Sequence, residues 1–476
     1  MSCGKPSCKS GGCDNYDDDV KNDQQQQTAV NLNRRQTLNP NLCVKCKLSP
    51  PLAGASDDSR FCGPCFRANL FGKFRLAVTS HAMISPTDRI LVAFSAGTCS
   101  RLALQFVHDM HLKAQNNFDA SRDKSLPVFS VGVAFIDESF ARSIPFDVAA
   151  QAILHVKAVV NSLSPPHKDL HVASLENIYS SADVADGRSR LTELLDTFVD
   201  STGKDDFLTH LRMLCLQKVA VENGYNKLVL GSCTSTIARH VLSATVKGQG
   251  YSLPADIQYV DARWEIPVLL PLRDCLAQEL STLCQLDGLK TLSIVNGPQS
   301  GINSLVSSFV SLLQEENPSR ECTIVRTAGK LTPFSFNKLP VVDDPKAYLA
   351  SQRRQKKFNM TSNESSRAES FCSICYSPLH ESDSYSLGSS AGEEPNAAGF
   401  GATCCSSCRF QILPADSSHM ERFYSLLPQP LISRQTTSSS CVQRLLRESI
   451  EDFLISDSED GYGLEADKLP SELPCA

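Results

Sequence analysis

The sequence has no long run of apolar residues. Its best candidate, residues 265–274, is interrupted by prolines and charged residues as EIPVLLPLRD, whereas a membrane-spanning helix needs roughly 20 consecutive apolar residues. The first twenty residues, MSCGKPSCKSGGCDNYDDDV, contain no apolar core of the kind that a signal peptide has. These two absences predict a protein of the cytosol or nucleus with no membrane partner, and we expect it in the cytoplasm.

A net positive charge is also absent. Lysine and arginine number 46 against 52 aspartates and glutamates, which gives a formal net charge of -6. A domain that binds nucleic acid mainly by neutralising phosphates is usually basic. The net negative charge therefore argues against a protein that binds nucleic acid through its overall charge. Local basic patches remain candidates for such binding.

Length and composition limit the number of domains. With 476 residues, 41% of them hydrophobic, and a mean hydropathy of -0.17, the chain is long enough for two or three domains and one sizeable core. Shifts in composition predict a disordered leader at 1–40, an N-terminal zinc module at 41–80, an α/β domain at 81–335, a basic linker at 336–370, a C-terminal zinc module with a disordered insertion at 371–412, and a C-terminal segment with an acidic tail at 413–476.

The region from about 90 to 330 alternates strand-like and helix-like segments. Strands are predicted at 89–94, 127–137, 169–176 and 226–232, and helices at 99–112, 148–163, 204–224 and 234–248. Regular alternation of this kind is typical of an α/β fold with a mainly parallel sheet.

Cysteine is abundant, with 20 residues, and two sets have the spacing of metal ligands. The pairs CVKC at 43–46 and CGPC at 62–65 each aim two thiolates at one point, so together they complete the tetrahedron that zinc requires. This spacing predicts a structural zinc site formed by Cys43, Cys46, Cys62 and Cys65. The alternatives are a redox dithiol, which needs only one such pair, and an iron–sulfur cluster, which usually has different cysteine spacing.

The second set lies in FCSICYSPL and GATCCSSCRF. It predicts another structural zinc site, formed by Cys372, Cys375, Cys405 and Cys408. Cys404 is an adjacent competitor, and the spacing alone leaves the choice between Cys404 and Cys405 open.

Two basic stretches adjoin these cysteines. CFRANLFGKFRLAV at 65–78 alternates cations with phenylalanines, and SQRRQKKF at 351–358 is a compact basic cluster. Cations interleaved with aromatic rings suit RNA, whose phosphates and unstacked bases both find partners there. The alternative for the first stretch is an ordinary helix with buried rings and solvated charges. The candidate RNA-binding residues are Arg67, Lys73, Arg75, Arg353, Arg354, Lys356 and Lys357.

Residues 91–104, LVAFSAGTCSRLAL, join a strand to a helix through a loop of small residues, which is a common way to hold a phosphate. The strand, the SAGTCS loop, the helix, the later strand ending in FID and the segment LVLGSCTSTIARHVL resemble the PP-loop ATPases, which are adenine nucleotide alpha hydrolase-like. This resemblance implies a parallel sheet with helices on both faces. Ser95, Gly97 and Ser100 match the Ser-Gly-Gly-x-Asp-Ser pattern of the loop that cradles the pyrophosphate of ATP, and we interpret them as a vestigial nucleotide site.

The loop departs from that pattern at two positions. Ala96 occupies a position where the pattern has glycine. Its Cβ could obstruct a backbone that must approach phosphates closely. Cys99 occupies the position where the pattern has aspartate, so a hard oxygen ligand suited to Mg²⁺ is missing.

The downstream motif of active relatives, Gly-His-x-x-Asp-Asp, is eroded as well. In GSCTST at 231–236, Gly231 is in register, but Ser232 and Cys233 replace the histidine and its neighbour, and no acidic pair follows. Active relatives also use two cysteines, which by register would lie at 208–211 and 292–298, and neither segment contains one. We interpret Cys233 and the nearby Cys215 as small structural residues. The sequence therefore predicts no catalytic residue in this chain.

The order of modules narrows the resemblance. A four-cysteine module, a PP-loop core, a second cysteine module and an acidic tail together resemble the cytoplasmic tRNA 2-thiolation protein 2 family over roughly residues 41–460. The resemblance implies a non-catalytic subunit paired with the catalytic tRNA 2-thiolation protein 1, which binds ATP and Mg²⁺. It also implies a complex that forms 2-thiouridine at U34, in mcm5s2U, of cytosolic tRNAs for Lys, Glu and Gln, with sulfur from a thiocarboxylated ubiquitin-related modifier.

Two other functions remain as alternatives. The chain could be an ATP-dependent tRNA sulfurtransferase in its own right, with Cys99 or Cys233 carrying sulfur. It could also be a zinc-dependent scaffold without a tRNA role. Composition and spacing alone indicate only a zinc-containing α/β protein of the cytosol.

Overall fold

A computed structural model of the chain describes residues 41–52, 60–121, 127–179, 184–292, 301–337, 370–380 and 396–434. The predicted leader at 1–40, the acidic tail and most of the predicted basic linker lie outside these ranges. The two four-cysteine segments and most of the predicted α/β region lie within them.

Among the described residues, six strands form one sheet: β1 Arg89–Ala93, β2 Ser130–Asp137, β3 Asp169–Ser174, β4 Lys227–Val229, β5 Val260–Asp261 and β6 Val268–Leu269. Their order across the sheet is β3-β2-β1-β4-β6-β5. Neighbouring strands are parallel, except that β5 and β6 are antiparallel. The predicted α/β class with a mainly parallel sheet is confirmed.

The helices of the described residues are α1 Gly63–Ser80, α2 Thr98–Ala120, α3 Phe146–Ser162, α4 Val184–Asp196, α5 Ser201–Glu222, α6 Thr234–Val246, α7 Leu253–Asp256, α8 Ala277–Leu286, α9 Ile302–Glu316, α10 Ser319–Ala328, α11 Ala397–Ala402, α12 Ser406–Gln411 and α13 Ser417–Leu426. In the part of the chain that the structure describes, none of them has both the length and the hydropathy to cross a membrane.

The four predicted strands and four predicted helices all form, with changes at their ends. Helix α2 continues to Ala120, past the predicted end at 112, because the residues between contain no glycine or proline to stop it. Strand β4 pairs only over Lys227–Val229, and the chain then leaves the ladder toward a loop.

Successive residues of the central strand β1 point to opposite faces of the sheet. Ile90 and Val92 are buried in a cluster that includes Phe106 of α2. Leu91, between them, is buried in a second cluster with Leu211 of α5. Helices therefore cover both faces of the sheet.

The two four-cysteine segments pack against opposite faces. The first leads into α1, whose Phe66 and Leu70 belong to the cluster around Ile90. Ile374 and Phe400 of the second segment belong to the cluster around Leu91. Each segment thus buries apolar side chains in the core on its own side of the sheet.

Direct contacts tie the second segment and the helix after it to the rest of the fold. The Tyr179 hydroxyl donates a hydrogen bond to the Leu426 carbonyl at 2.9 Å. The ring of Phe423 has its centroid 5.9 Å from that of Phe198. A guanidinium N–H of Arg263 donates to the Tyr376 carbonyl at 3.2 Å. Packing and hydrogen bonds therefore both hold this part of the chain against the sheet.

Gly231 lies just beyond β4, where the backbone passes close to the start of α2. A Cβ added to Gly231 would lie 2.7 Å from both the Cα and the N of Ser100. These neighbours are backbone atoms, which cannot rotate away. Only glycine allows β4 and α2 to come this close.

We expect Gly231→Ala to lower the free energy of unfolding by about 2 kcal/mol, because the added methyl group overpacks a backbone contact. Urea unfolding of the reduced, full-length chain, followed by circular dichroism, measures this change.

Gly72→Ala is the matched control. Gly72 lies inside α1, and a Cβ added there would have no other atom within 4 Å. The same substitution there should stabilise the protein by roughly 0.5–1 kcal/mol, because alanine favours the helix over glycine. Equal effects of the two substitutions would contradict the steric role of Gly231.

Candidate functional site

The loops that follow β1 and β4 lie side by side, because the two strands are parallel neighbours. Strand order reverses direction here, since β2 lies on one side of β1 and β4 on the other. The crevice outside the carboxyl ends of the strands at such a point is the usual ligand site of an open α/β sheet. A cleft of about 1060 Å³ opens there, lined by residues of both loops, of α5 and of α6.

The loop after β1 has the conformation expected of a glycine-rich loop but contains a substituted residue. Ala96 is fully buried and has a φ of +63°, in the left-handed region that favours glycine. Its carbonyl accepts a hydrogen bond from the Leu292 N–H at 2.9 Å. The surrounding contacts thus hold an alanine in a glycine conformation.

The predicted residues Ser95, Gly97 and Ser100 come together in this loop. The two serine hydroxyls lie 3.1 Å apart, and that of Ser100 donates to the Gly97 carbonyl at 3.0 Å. These hydroxyls are therefore hydrogen-bonded within the loop itself.

Helix α2 begins in the same cleft. Gly97 is its N-cap and has no side chain to cap the helix, and the first turn contains no acidic residue. An added Cβ at Gly97 would meet only the Ser95 Oγ, at 3.6 Å, so the fold itself leaves space there. Uncapped N–H groups at the start of a helix attract an anion. The backbone keeps an anion-binding shape, while Cys99 supplies no carboxylate for a metal.

Cys99 and Cys233, the residues that depart from the two motifs, face each other across the loops. Their Sγ atoms lie 3.5 Å apart. Cys233 is the N-cap of α6 and is fully buried, whereas Cys99 is half-buried and lines the cleft. Cys215 is a buried residue of α5, and its Sγ lies near the Ser174 carbonyl at 3.7 Å.

Charged side chains that the sequence analysis missed also line the cleft. Glu138 follows β2 directly and receives hydrogen bonds from Arg142 at 2.8 Å and from Arg212 at 2.9 Å. Burial opposes ionisation of Glu138, but the two guanidinium groups outweigh it and hold its pKa below its usual range. The position of Glu138 just after the predicted strand FID was the available signal.

Arg239 of α6 faces the same cleft. Its Nε donates to the Ser235 carbonyl of its own helix at 3.3 Å, and no carboxylate within the described ranges forms an ion pair with it. Asp137, Asp256 and Asp261 also line this cleft, so carboxylates and guanidinium groups both face a ligand there.

The first predicted cysteine set converges as expected. The Sγ atoms of Cys43, Cys46, Cys62 and Cys65 all lie within 4.8 Å of one another, a spacing that suits a single metal ion. Cys46 and Cys62 have their Sγ atoms 3.7 Å apart. Cys62 is the N-cap of α1, so the second knuckle merges into that helix.

The second predicted set converges too, and the structure decides between the adjacent cysteines. The Sγ atoms of Cys372, Cys375, Cys405 and Cys408 lie within 4.8 Å of one another. The Cys404 thiol is close to this group but donates to the Phe400 carbonyl at 3.3 Å. Cys405 is therefore the member of the four-cysteine group.

The predicted RNA-binding residues of the first stretch have different surroundings. Arg67 forms ion pairs with Asp109 and Asp287, and Lys73 pairs with Glu279 at 2.7 Å. Arg75 is exposed on the same helix.

The aromatic residues of this stretch face inward. Phe66 and Phe74 are buried, and Phe71 stacks on Phe74 with ring centroids 6.0 Å apart. No aromatic ring of this stretch is therefore fully exposed for stacking against an RNA base. Arg353, Arg354, Lys356 and Lys357 lie outside the described residues.

Known proteins resemble this chain to different degrees, and no family model matches it. Among solved structures, a U34-tRNA thiolase, NcsA from Methanococcus maripaludis with its [4Fe-4S] cluster, has 15% identity and a TM-score of 0.48, and the match covers 66% of this chain and 95% of that one.

Curated relatives are far more similar. A cytoplasmic tRNA 2-thiolation protein 2 from Arabidopsis thaliana is 55% identical over 464 residues, which cover 97% of this chain and all of the relative. A protein of the same name from Oryza sativa subsp. japonica is 52% identical over 420 residues, or 88% of this chain and 90% of the relative. With this identity over nearly its full length, the chain belongs to the cytoplasmic tRNA 2-thiolation protein 2 family.

Proposed function

We propose that this chain is the non-catalytic subunit of a complex that thiolates U34 of cytosolic tRNAs for Lys, Glu and Gln, giving the 2-thiouridine of mcm5s2U. A catalytic partner, tRNA 2-thiolation protein 1, activates the uridine with ATP and Mg²⁺. A thiocarboxylated ubiquitin-related modifier donates the sulfur. The name of the relatives supports the reaction and a cytoplasmic location.

The loop after β1 is the observation on which the non-catalytic role rests. Its backbone still forms a cradle beneath α2, but Cys99 replaces the carboxylate that would bind Mg²⁺. Ala96 adds a buried methyl group in a glycine conformation. Adenylation needs a metal ion to neutralise charge on the phosphates. A loop that keeps its backbone shape but lacks this carboxylate supports binding rather than catalysis.

Zinc is the metal that fits the two four-cysteine groups best. With Zn–S bonds of about 2.3 Å, the sulfur atoms of a tetrahedral site lie about 3.8 Å apart. In the structure, the Sγ atoms of Cys46 and Cys62 lie 3.7 Å apart, and those of Cys375 and Cys405 lie 3.8 Å apart. A four-iron cluster binds each cysteine to a different iron atom and therefore holds the sulfurs farther apart.

The role of zinc in both groups is structural. Four thiolates fill the coordination sphere, so no position is open for substrate or water. The first ion would fix the start of α1, and the second would fix the segment that packs beside α5. Metal binding thus stabilises the two faces of the core.

Contact with tRNA is assigned to basic residues of the two stretches. Arg75 is the exposed member of the first stretch, and Arg353, Arg354, Lys356 and Lys357 form the second. Arg67 and Lys73 are already held in ion pairs, which makes them weaker candidates for phosphate contact. Phosphate contacts of this kind set affinity and its dependence on salt.

Reconstitution of the reaction tests whether this chain is non-catalytic and its partner catalytic. ATP-dependent thiolation is measured with this chain alone, its partner alone, and both together, by mass spectrometry of the tRNA nucleosides. We expect no product from this chain alone and at least about tenfold more product from the pair than from the partner alone, since the loop lacks its metal ligand.

Each alternative predicts its own outcome, one in the reconstitution and one in cells. Thiolation by this chain alone, abolished by Cys99→Ser or Cys233→Ser, would support an independent sulfurtransferase. Unchanged wobble thiolation in cells that lack the chain would support a scaffold without a tRNA role.

We expect about two zinc ions per chain in the purified protein and about one in Cys46→Ser or Cys372→Ser, because three thiolates and a serine bind zinc far more weakly. Inductively coupled plasma mass spectrometry after desalting measures the stoichiometry. Cys404→Ser is the matched control, because the serine hydroxyl can still donate to the Phe400 carbonyl as the Cys404 thiol does. Loss of zinc in the control, or retention of two ions in the other variants, would count against the assignment.

Replacing Arg353, Arg354, Lys356 and Lys357 together by alanine should weaken tRNA binding at least about tenfold and reduce the slope of log affinity against log salt by about 3. A filter-binding titration at several salt concentrations measures both quantities.

The matched control removes the same number of charges from exposed lysines elsewhere, namely Lys113, Lys157, Lys290 and Lys330. An equal loss of affinity in this control would show that overall charge, and not the basic stretch, governs binding.

A further inference from the structure

The thiols of Cys99 and Cys233 form a pair that the proposed function does not use. Their Sγ atoms are 3.5 Å apart, and the Cys99 thiol donates to the Cys233 sulfur. The residues are 134 positions apart in sequence, so the pairing depends on the two loops meeting at the edge of the sheet. Neither residue belongs to a four-cysteine group.

Donors at the start of α6 favour a negative charge on Cys233. The hydrogen bond from Cys99 has the largest effect, and the Thr236 hydroxyl and the N–H groups of Thr236 and Ser235 add to it. Together they lower the pKa of Cys233 to about 6 although burial opposes ionisation. The same hydrogen bond and burial raise the pKa of Cys99. The pair therefore shares one proton near neutral pH.

The other cysteines of the core have different surroundings. Cys275 is fully buried, and burial raises its pKa to about 12. Cys284 has its thiol 3.9 Å from the Thr98 carbonyl, and burial raises its pKa to about 11. Among the described residues, neither of these thiols hydrogen-bonds to a second sulfur, so neither has a neighbouring cysteine in the position that Cys233 has beside Cys99.

The cleft gives a small reagent access to the pair. Cys99 lines the cleft, whereas Cys233 lies behind it with no exposed surface. At rest the negative charge lies on Cys233, so Cys99 becomes the reactive thiolate only when the shared proton passes from Cys99 to Cys233. The positive charge of Arg239 favours a thiolate at Cys99.

We propose that Cys99 and Cys233 are a site of oxidative modification, a dithiol that a small peroxide converts into a disulfide joining the N-termini of α2 and α6. The Cys99 thiolate attacks one oxygen of the peroxide, the O–O bond breaks, and the hydroxide released takes up a proton to become water. Cys233 then attacks the sulfur of the Cys99 sulfenic acid, the S–O bond breaks, and a second water leaves. In total, one thiolate, one thiol, one proton from the solvent and one hydrogen peroxide give one disulfide and two waters.

Mass spectrometry of the zinc-loaded full-length chain tests this site. The protein is treated with limited hydrogen peroxide, its remaining thiols are alkylated, and its peptides are mapped. We expect alkylation of Cys99 and Cys233 to fall together by roughly tenfold and a peptide pair linked by these residues to appear. Dithiothreitol should restore both thiols. Alkylation of Cys275 and Cys284 should change less than about twofold.

Single variants separate the two steps. In Cys233→Ser, Cys99 should accumulate as a sulfenic acid that dimedone traps, because no partner resolves it. In Cys99→Ser, dimedone should not label the buried Cys233. Circular dichroism before and after peroxide shows whether each variant is folded. Full alkylation of Cys99 and Cys233 after peroxide, or a disulfide from Cys99 to another core cysteine, would overturn the proposal.

Discussion

The parallel pairing of β1 with β4 is the constraint on which the rest of the molecule depends. It places the ends of two strands, more than one hundred residues apart in sequence, beside each other at the same edge of the sheet. Gly231 makes this possible, because any side chain there would collide with the backbone of Ser100. The cleft, the position of the uncapped start of α2 beside it and the contact of Cys99 with Cys233 all follow from this single approach.

The two four-cysteine groups extend the same core in opposite directions. Residues from the first join the apolar cluster on one face of the sheet, and residues from the second join the cluster on the other. A short segment with two knuckles cannot bury enough apolar surface to fold alone. Here each segment gains stability from the sheet against which it packs, and its four sulfur atoms lie close enough together to hold one metal ion.

Backbone packing and active-site chemistry place separate requirements on this part of the fold. Gly231 is required by backbone packing whether or not a nucleotide binds. The Cys99 side chain contacts Cys233, and the strand, loop and helix form without a carboxylate at that position. Binding by the N–H groups of α2 needs only the backbone, whereas metal-assisted adenylation needs a particular side chain.

Much of this protein follows from local sequence. Hydrophobic alternation predicts the strands β1 to β4 and the helices beside them, and the C-x-x-C spacing predicts both four-cysteine groups, because each signal lies within a few residues. The motif positions of Ser95, Gly97 and Ser100 are also local. Only the tertiary structure decided that Cys405 rather than Cys404 joins its group, that Glu138 is shared by Arg142 and Arg212, and that Cys99 meets Cys233. These are contacts between segments distant in sequence, and their geometry is fixed by how strands and helices pack.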